Sequence, residues 1–266
     1  MAIFTLSYSL AWGQKTIQLR LLGTTSQPNI NVVYSNGTTC DKMTVKGFSG
    51  FIYGNRDMYY VNDRVFYPGA YIEVENFKYE IDRITFNGQV GSRNENKTHV
   101  RTRIVDGNGS DMWNNQVENE FGSAIGDNYS KEYPFCSGDL SQVKGLTKFY
   151  IQVTTSKGCY VRSINVTYYE PEINVNEQFP HSMQVGNIVD LKDCYELSHL
   201  GAFNTYISYS SSNTNVISVD ENGIMKAVGN GTASITLTLR DRDNNGSELT
   251  HMVFNIESSK FSVDND

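Results

Sequence analysis

The sequence is poor in proline, with 5 in 266 residues, and poor in cysteine, with 4. The cysteines, Cys40, Cys136, Cys159 and Cys194, show no C-x-x-C spacing, which argues against a zinc site. Free and mostly buried thiols are the expectation, because a lone thiol behaves as a small hydrophobe. No segment approaches the roughly 20 apolar residues that a membrane-spanning helix needs. Basic residues are in deficit: 22 Lys and Arg against 29 Asp and Glu leave a net charge of −7, and no basic cluster interrupts that balance. Nucleic acid and anionic membrane surfaces require a basic face, so neither is an expected partner. No window sustains a helical period, and only Gln116–Ser123 could hold a short helix.

Catalytic signatures are missing too. His99, His181, His199 and His251 are scattered, with no G-x-S-x-G nucleophile motif. The glycine turns Gly107-Asn-Gly109 and Gly229-Asn-Gly231 lack the strand–loop–helix setting of a phosphate cradle. The first residues, MAIFTLSYSLAWG, carry no basic leader region, and Thr5, Ser7 and Ser9 break the apolar run. Phe4, Leu6, Tyr8 and Leu10 alternate instead, as do Ile17, Leu19 and Leu21. The chain is therefore expected to begin as structure at Met1, either assembled without ordinary secretion or with a leader removed.

What is present is the material of strands and turns. Apolar residues make up 39% and aromatics 12% of the chain, enough for real cores. In residues 1–170 the alternation marks strands at Phe4–Leu10, Thr16–Leu22, Ile30–Tyr34, Met43–Phe51, Met58–Val61 and Ala70–Val74. Further strands are marked at Tyr79–Phe86, His99–Ile104, Phe149–Thr155 and Cys159–Tyr169, with Thr155–Gly158 as a hairpin turn between the last two. Asp106–Leu146 reads as a long polar connection reaching a partner. A domain boundary is expected at Tyr169-Glu170-Pro171-Glu172, where a strand ends at a proline.

The most regular stretch is Tyr209–Leu239, YSSSNTNVISVDENGIMKAVGNGTASITLTL. Val216, Ile217 and Val219 form a β-branched run, and Asp220-Glu221-Asn222-Gly223 supplies a turn. Gly229-Asn230-Gly231 supplies another, after which Ala233, Ile235, Leu237 and Leu239 alternate with Thr232, Ser234, Thr236 and Thr238. The order of Ser210-Ser211-Ser212, Asn213, Val216, Val219, Asp220, Gly223, Ala227, Gly229, Gly231, Ala233 and Ile235 resembles a bacterial Ig-like domain of group 2, over about residues 171–257. That resemblance implies a small β-sandwich of the kind found in phage virion and bacterial surface proteins, with no catalytic residues. GAYIEVENFKYEIDRITFNG, within Phe48–Val90, and YVRSINVTYY of Tyr160–Tyr169 resemble strand pairs of carbohydrate-binding-type jelly rolls, and no sugar site is carried over.

Asp241, Asp243 and Asn245 match the first half of a calcium loop, but position 12 is Met252 rather than a bidentate glutamate. Asp106–Asp111 fails the same way, with Val117 at position 12. No other cofactor is expected. Glu118, Glu120 and Asp127 lie near Trp113, Phe121 and Tyr129; paired carboxylates beside aromatics are what a glycosidase needs, but sequence spacing does not fix their separation and acidic loops are commonly just solvated, so a glycosidase is not the expected reading. Trp113, Tyr129 and Tyr133 could stack on sugars or contact protein, and protein contact is favoured because Tyr and Trp are enriched at interfaces. Trp113, Phe121 and Tyr129 are the binding candidates.

The sequence thus predicts an all-β protein: a β-sandwich or jelly-roll-like attachment domain (1–170), an Ig-like domain (171–257) and a flexible tail (258–266). The expected function is structural and adhesive rather than enzymatic. The expected place is a phage virion, as a capsid decoration, head fibre or tail-associated protein. Its partners would be other virion proteins, further copies of itself and bacterial surface glycans. The alternative is a secreted or cell-surface carbohydrate-binding or adhesion protein.

Overall fold

The computed structural model describes residues 14–22, 29–49, 51–55, 58–61, 70–90, 100–106, 111–117, 132–136, 148–155 and 159–260. These are arranged as β-sheets joined by turns and short 3₁₀ segments, with no α-helix among the described residues. The chain divides into two compact units, Met1–Glu170 and Pro171–Asp266.

The amino-terminal unit contains β1 (Gln14–Leu22), β2 (Asn29–Tyr34), β3 (Thr44–Ser49), β4 (Phe51–Asn55), β5 (Met58–Val61) and β6 (Ala70–Glu75). It continues with β7 (Glu80–Val90), β8 (Val100–Asp106), β9 (Asp111–Val117), β10 (Glu132–Cys136), β11 (Lys148–Thr155) and β12 (Cys159–Tyr169). One sheet runs β10-β7-β12-β1-β2, with β5 also pairing β12 and β4 pairing β5. A second runs β3-β6-β11-β8-β9. The central ladder joins β1 to β12 from Gln14↔Tyr169 to Arg20↔Ser163.

Period-two burial follows from the pleat, which sends alternate side chains to one face. On β1, Ile17, Leu19 and Leu21 are wholly buried; on β12, so are Ile164, Val166 and Tyr168. The second sheet contributes Ile72 and Val74 from β6 and Ile151 from β11. Each such aliphatic side chain stabilises the fold by about 1.5–3 kcal/mol through the area it removes from water. Phe77, just after β6, meets the Tyr168 ring edge-on (centroids 5.6 Å, planes at 86°), and Tyr79 lies 4.8 Å from Tyr168. Edge-to-face geometry suits the ring quadrupoles.

Three expectations for this unit change. Met43–Phe51 is not one strand: it supplies β3 to one sheet and β4 to the other. The Thr155–Gly158 turn does not make a hairpin, because β11 pairs β6 and β8 while β12 pairs β1, β5 and β7. The polar segment Asp106–Leu146 holds β9 and β10, and Gln116 and Val117 end β9 rather than opening a helix. The expected strand Phe4–Leu10 lies outside the described residues.

The carboxy-terminal unit contains β13 (Glu172–Val175), β14 (Ser182–Gln184), β15 (Ile188–Asp190), β16 (Tyr195–Ser198) and β17 (Thr205–Ser211). It ends with β18 (Ile217–Val219), β19 (Ile224–Ala227), β20 (Gly231–Asp241) and β21 (Ser247–Ser259). Its sheets run β14-β21-β20-β17, β15-β19-β18 and β13-β16. Ala233, Ile235, Leu237 and Leu239 of β20 all point into one core with Met225, Ala227, Ile217 and Ile256. Phe179 closes it against Phe254, with ring centroids 4.1 Å apart. Ser258 and Ser259, expected to open a tail, do not: Ser258 is buried, and β21 runs to Ser259. Residues 261–266 lie outside the described residues.

Candidate functional site

The signature residues of the carboxy-terminal unit are occupied in building turns. The Asp220 carboxylate accepts from the backbone N–H of Asn222 and of Ile224, each at 2.9 Å, closing the turn before β19. Gly223 completes it at φ +86°, where a Cβ would sit 2.8 Å from the Tyr209 ring. The Tyr209 hydroxyl is bonded to that of Tyr195 at 2.7 Å. Burial pushes the Tyr209 phenol far above its ordinary range, and Tyr195 reinforces the shift. A Cβ at Gly229 would lie 2.5 Å from the Asn215 carbonyl oxygen, and Gly231 stands at φ +136° beside Val216. The serines have structural tasks too. The Ser211 hydroxyl donates to the Ile217 carbonyl at 2.6 Å, and that of Ser212 accepts from the Ser234 N–H at 2.8 Å.

With the apolar residues turned inward, the opposite face of β17-β20-β21 carries Ser208, Ser210, Ser234 and Thr236 among the larger Tyr206, Arg240, His251 and Val253, with Thr238 buried. The register sets Ser210 beside Thr236 and Ser208 beside Thr238. On the other side Ser234 faces Asn255, Thr236 faces Val253 and Thr238 faces His251. Directly opposed residues share a face, so these form one continuous surface. Ser234 Oγ donates to Asn255 Oδ1 at 2.7 Å. Arg240 Nε donates to Ser208 Oγ at 2.9 Å, and its other nitrogen to the Gly246 carbonyl at 3.0 Å. Val253 stands 54% exposed in this surface. At the border, His251 Nδ1 lies 2.7 Å from Glu248 Oε1. Such a face can donate and accept hydrogen bonds and can hold a partner by many small contacts.

The calcium candidates are drawn into a capped turn. Asp241 is buried and accepts from the Asp243 N–H at 3.2 Å, ahead of the 3₁₀ segment Arg242–Asn244. Asp243 Oδ1 accepts from Asn204 Nδ2 at 3.0 Å, and Asn245 takes the left-handed conformation at φ +50°. Among the described residues no three His, Cys, Asp or Glu groups are placed to hold a metal ion. Of the binding candidates, Trp113 lies on β9 opposite Ile104 of β8, at the end of its sheet. Tyr133 lies on β10 opposite Phe86, in the other sheet. Phe121, Tyr129, Glu118, Glu120 and Asp127 are outside the described residues.

A buried phenol group in the amino-terminal unit has no counterpart in the sequence reading. Tyr34, Tyr79 and Tyr168 gather near Cys40, Lys42 and Glu170. Tyr168 is fully buried, and its hydroxyl has no hydrogen-bond partner among the described residues. Burial, followed by the Cys40 thiol, raises the Tyr34 phenol. Burial likewise raises Tyr168. Burial alone would lower the Lys42 ammonium, but the Tyr79 hydroxyl and the Glu170 and Asp41 carboxylates outweigh it, and the net shift is upward. Lys42 Nζ sits 5.1 Å from the Tyr79 ring centroid. The only sequence signal for this group is tyrosine density, which carries no fixed spacing. In the other unit, burial and the carboxylates of Asp193 and Asp190 raise the Cys194 thiol, which opposes the thiolate a nucleophile needs.

No family model matches the sequence, and no curated protein matches it. Among solved structures, a β-1,2-glucanase from Parabacteroides distasonis aligns at 8% identity with a TM-score of 0.20, over 94% of this chain and 37% of that one. The chain thus spans well under half the length of that enzyme. A TM-score of 0.20 is too low to carry an argument about fold or activity.

Proposed function

We propose that this chain is a non-enzymatic structural and adhesive protein of a phage virion, a capsid decoration, head fibre or tail-associated part. In this reading the carboxy-terminal unit is a bacterial Ig-like domain of group 2, displayed outward. The amino-terminal unit is a jelly-roll-like attachment domain, held to other virion proteins or to further copies of the chain. The observation that carries the reading is the division of labour in the carboxy-terminal unit. Asp220, Gly223, Gly229 and Gly231 are committed to turns, and the faces left to solvent offer hydroxyls and single apolar residues. Such surfaces suit weak, repeated contact with bacterial surface glycans or proteins, which many copies on one particle convert into avidity.

The test is peptide mass spectrometry of sedimented phage particles and, separately, of cell envelopes from the native source. Peptides of this chain in stoichiometric amounts in the particles are the expected result. Recovery from envelopes or medium alone would replace the virion assignment with a secreted or surface-attached adhesion protein.

A further inference from the structure

We infer that the free edge of β17 is a self-association site, at which two copies of this chain pair β17 with β17 antiparallel and join two four-stranded sheets into one. This goes beyond the function proposed above and holds or fails whether or not the protein sits on a particle.

The inference starts from how the other edges are treated. An exposed strand edge presents unpaired N–H and C=O groups, and natural proteins blunt such edges with charge, proline, bulges or short length. Nearly every outer strand described here is blunted. β14, β15 and β18 are three residues each. β10 carries Pro134 with a register shift, and β3 carries Lys46 with another. The outer side of β2 is covered by its own return, through the Val33↔Thr39 bridge and the bond from Cys40 N–H to the Val32 carbonyl. The stretch of β21 not covered by β14 bears Glu248 and His251.

Of the other outer strands, β9 carries Asp111 and a register shift, β4 carries Gly54 and a register shift, and β13 and β16 are four residues each with a glutamate; β17 has none of these devices. It is seven residues, Thr-Tyr-Ile-Ser-Tyr-Ser-Ser, with no charge, proline or glycine. Its register with β20 runs unbroken from Thr205↔Asp241 to Ser211↔Ile235. It ends its sheet, and no backbone group of the described residues bonds its other side.

The sequence of β17 selects a second β17 as the occupant. Antiparallel pairing centred on Ser208 sets Ser208 against Ser208, Ile207 against Tyr209 and Thr205 against Ser211. The aromatic–β-branched pair falls on the core side twice, by symmetry, and such pairs stabilise a ladder. Hydroxyls face hydroxyls on the outer side. The charges also fit. β17 itself brings no charge to the pair, each Arg240 flanking the axis is bonded to its own Ser208 and to the Gly246 carbonyl, and the Arg242–Asp243 turn of one copy falls beside the uncharged Ser211–Asn213 stretch of the other. A two-fold axis through Ser208 makes the contact isologous and closed, so the product is a dimer rather than a fibre.

The test is sedimentation velocity of the full chain over a concentration series, with Ser210→Lys and Ser208→Cys as variants. Ser210 is exposed, so lysine there leaves the core alone and charges the edge. The expected result is a reversible wild-type dimer that Ser210→Lys abolishes while its melting temperature is kept. Ser208→Cys, oxidised with glutathione disulfide, is expected to give an interchain disulfide at position 208, located by peptide mass spectrometry. Opposed positions in an antiparallel pair lie within disulfide range. A wild-type chain that stays monomeric throughout overturns the inference. So does a dimer that survives in folded Ser210→Lys, or one that leaves position 208 uncrosslinked.

Discussion

The two units solve the same problem, burying alternate residues of β-strands, by opposite routes. In the carboxy-terminal unit the central ladder joins β20 to the next strand, β21, and its turns are dictated on the spot by Asp220, Gly223 and Gly231. In the amino-terminal unit the central ladder joins β1 to β12, and the Thr16–Thr167 hydroxyl contact spans 151 positions. The buried phenols differ as well. Tyr195 and Tyr209 satisfy each other at 2.7 Å, whereas the Tyr168 hydroxyl has no partner among the described residues. Neither route satisfies every buried polar atom: the Ser258 hydroxyl of the carboxy-terminal unit, like that of Tyr168, has no hydrogen-bond partner among the described residues.

The sharpest break of this comparison is Ile235→Ala. Ile235 is wholly buried, so the cavity should cost the carboxy-terminal unit about 2–5 kcal/mol. Calorimetry should show one transition falling and the other unmoved; a joint fall would mean that the units unfold as one body. Next in size is Gly231→Val, which forces a β-branched residue to φ +136° and its Cβ to 3.2 Å from Val216, at about 1–3 kcal/mol. An unchanged melting temperature would defeat the claim that local backbone geometry specifies this unit.

A smaller contrast is Tyr168→Phe against Tyr209→Phe. Removing an unmatched hydroxyl should be neutral or stabilising by up to about 1 kcal/mol, while stranding the Tyr195 hydroxyl should cost about 1 kcal/mol. Denaturant titration of both variants decides, and equal losses would erase the distinction. The smallest effect is at alkaline pH. The folded-state values of Tyr34, Tyr168 and Tyr209 are all raised, chiefly by burial, so each contribution is intact below the unfolded phenol value near ~10. Each is lost as pH climbs from there towards the folded value. Both transitions should fall above about pH 10, the amino-terminal one more, because it buries more tyrosines.

This contrast also sets what could be read from the sequence. The alternation of Ile17, Leu19 and Leu21, and of Ala233 through Leu239, reports burial directly and locates β1 and β20. The turn chemistry of Asp220–Gly223 is equally local. Strand partners are not local: Thr155–Gly158 looks like a hairpin, yet the strands flanking it belong to different sheets. β9 and β10 carry no such signal, because DMWNNQV and EYPFC lie at sheet ends, where an alternating apolar pattern is not required and Pro134 is tolerated. The hydroxyl side of β20 shows in the sequence as Thr232, Ser234, Thr236 and Thr238 alternating with the core residues, but its width, and the burial of Thr238, depend on β17 and β21 lying alongside. The phenol group around Tyr168 draws on residues from both ends of the unit, a proximity only the fold creates.

The short parallel pairing of β14 with β21 carries a mechanical consequence. Ser182, Met183 and Gln184 run in the same direction as Glu257, Ser258 and Ser259, and the Val185 N–H extends the ladder to the Ser259 carbonyl at 2.9 Å. The chain enters the carboxy-terminal unit through β13, which is held to β16, and only then forms β14; β21 is the last described strand. Once β13 is drawn off β16, a pull along the chain slides β14 and β21 lengthwise, loading their hydrogen bonds together in shear instead of unzipping them one at a time. A three-residue ladder thereby becomes a clasp that tightens the unit against tension.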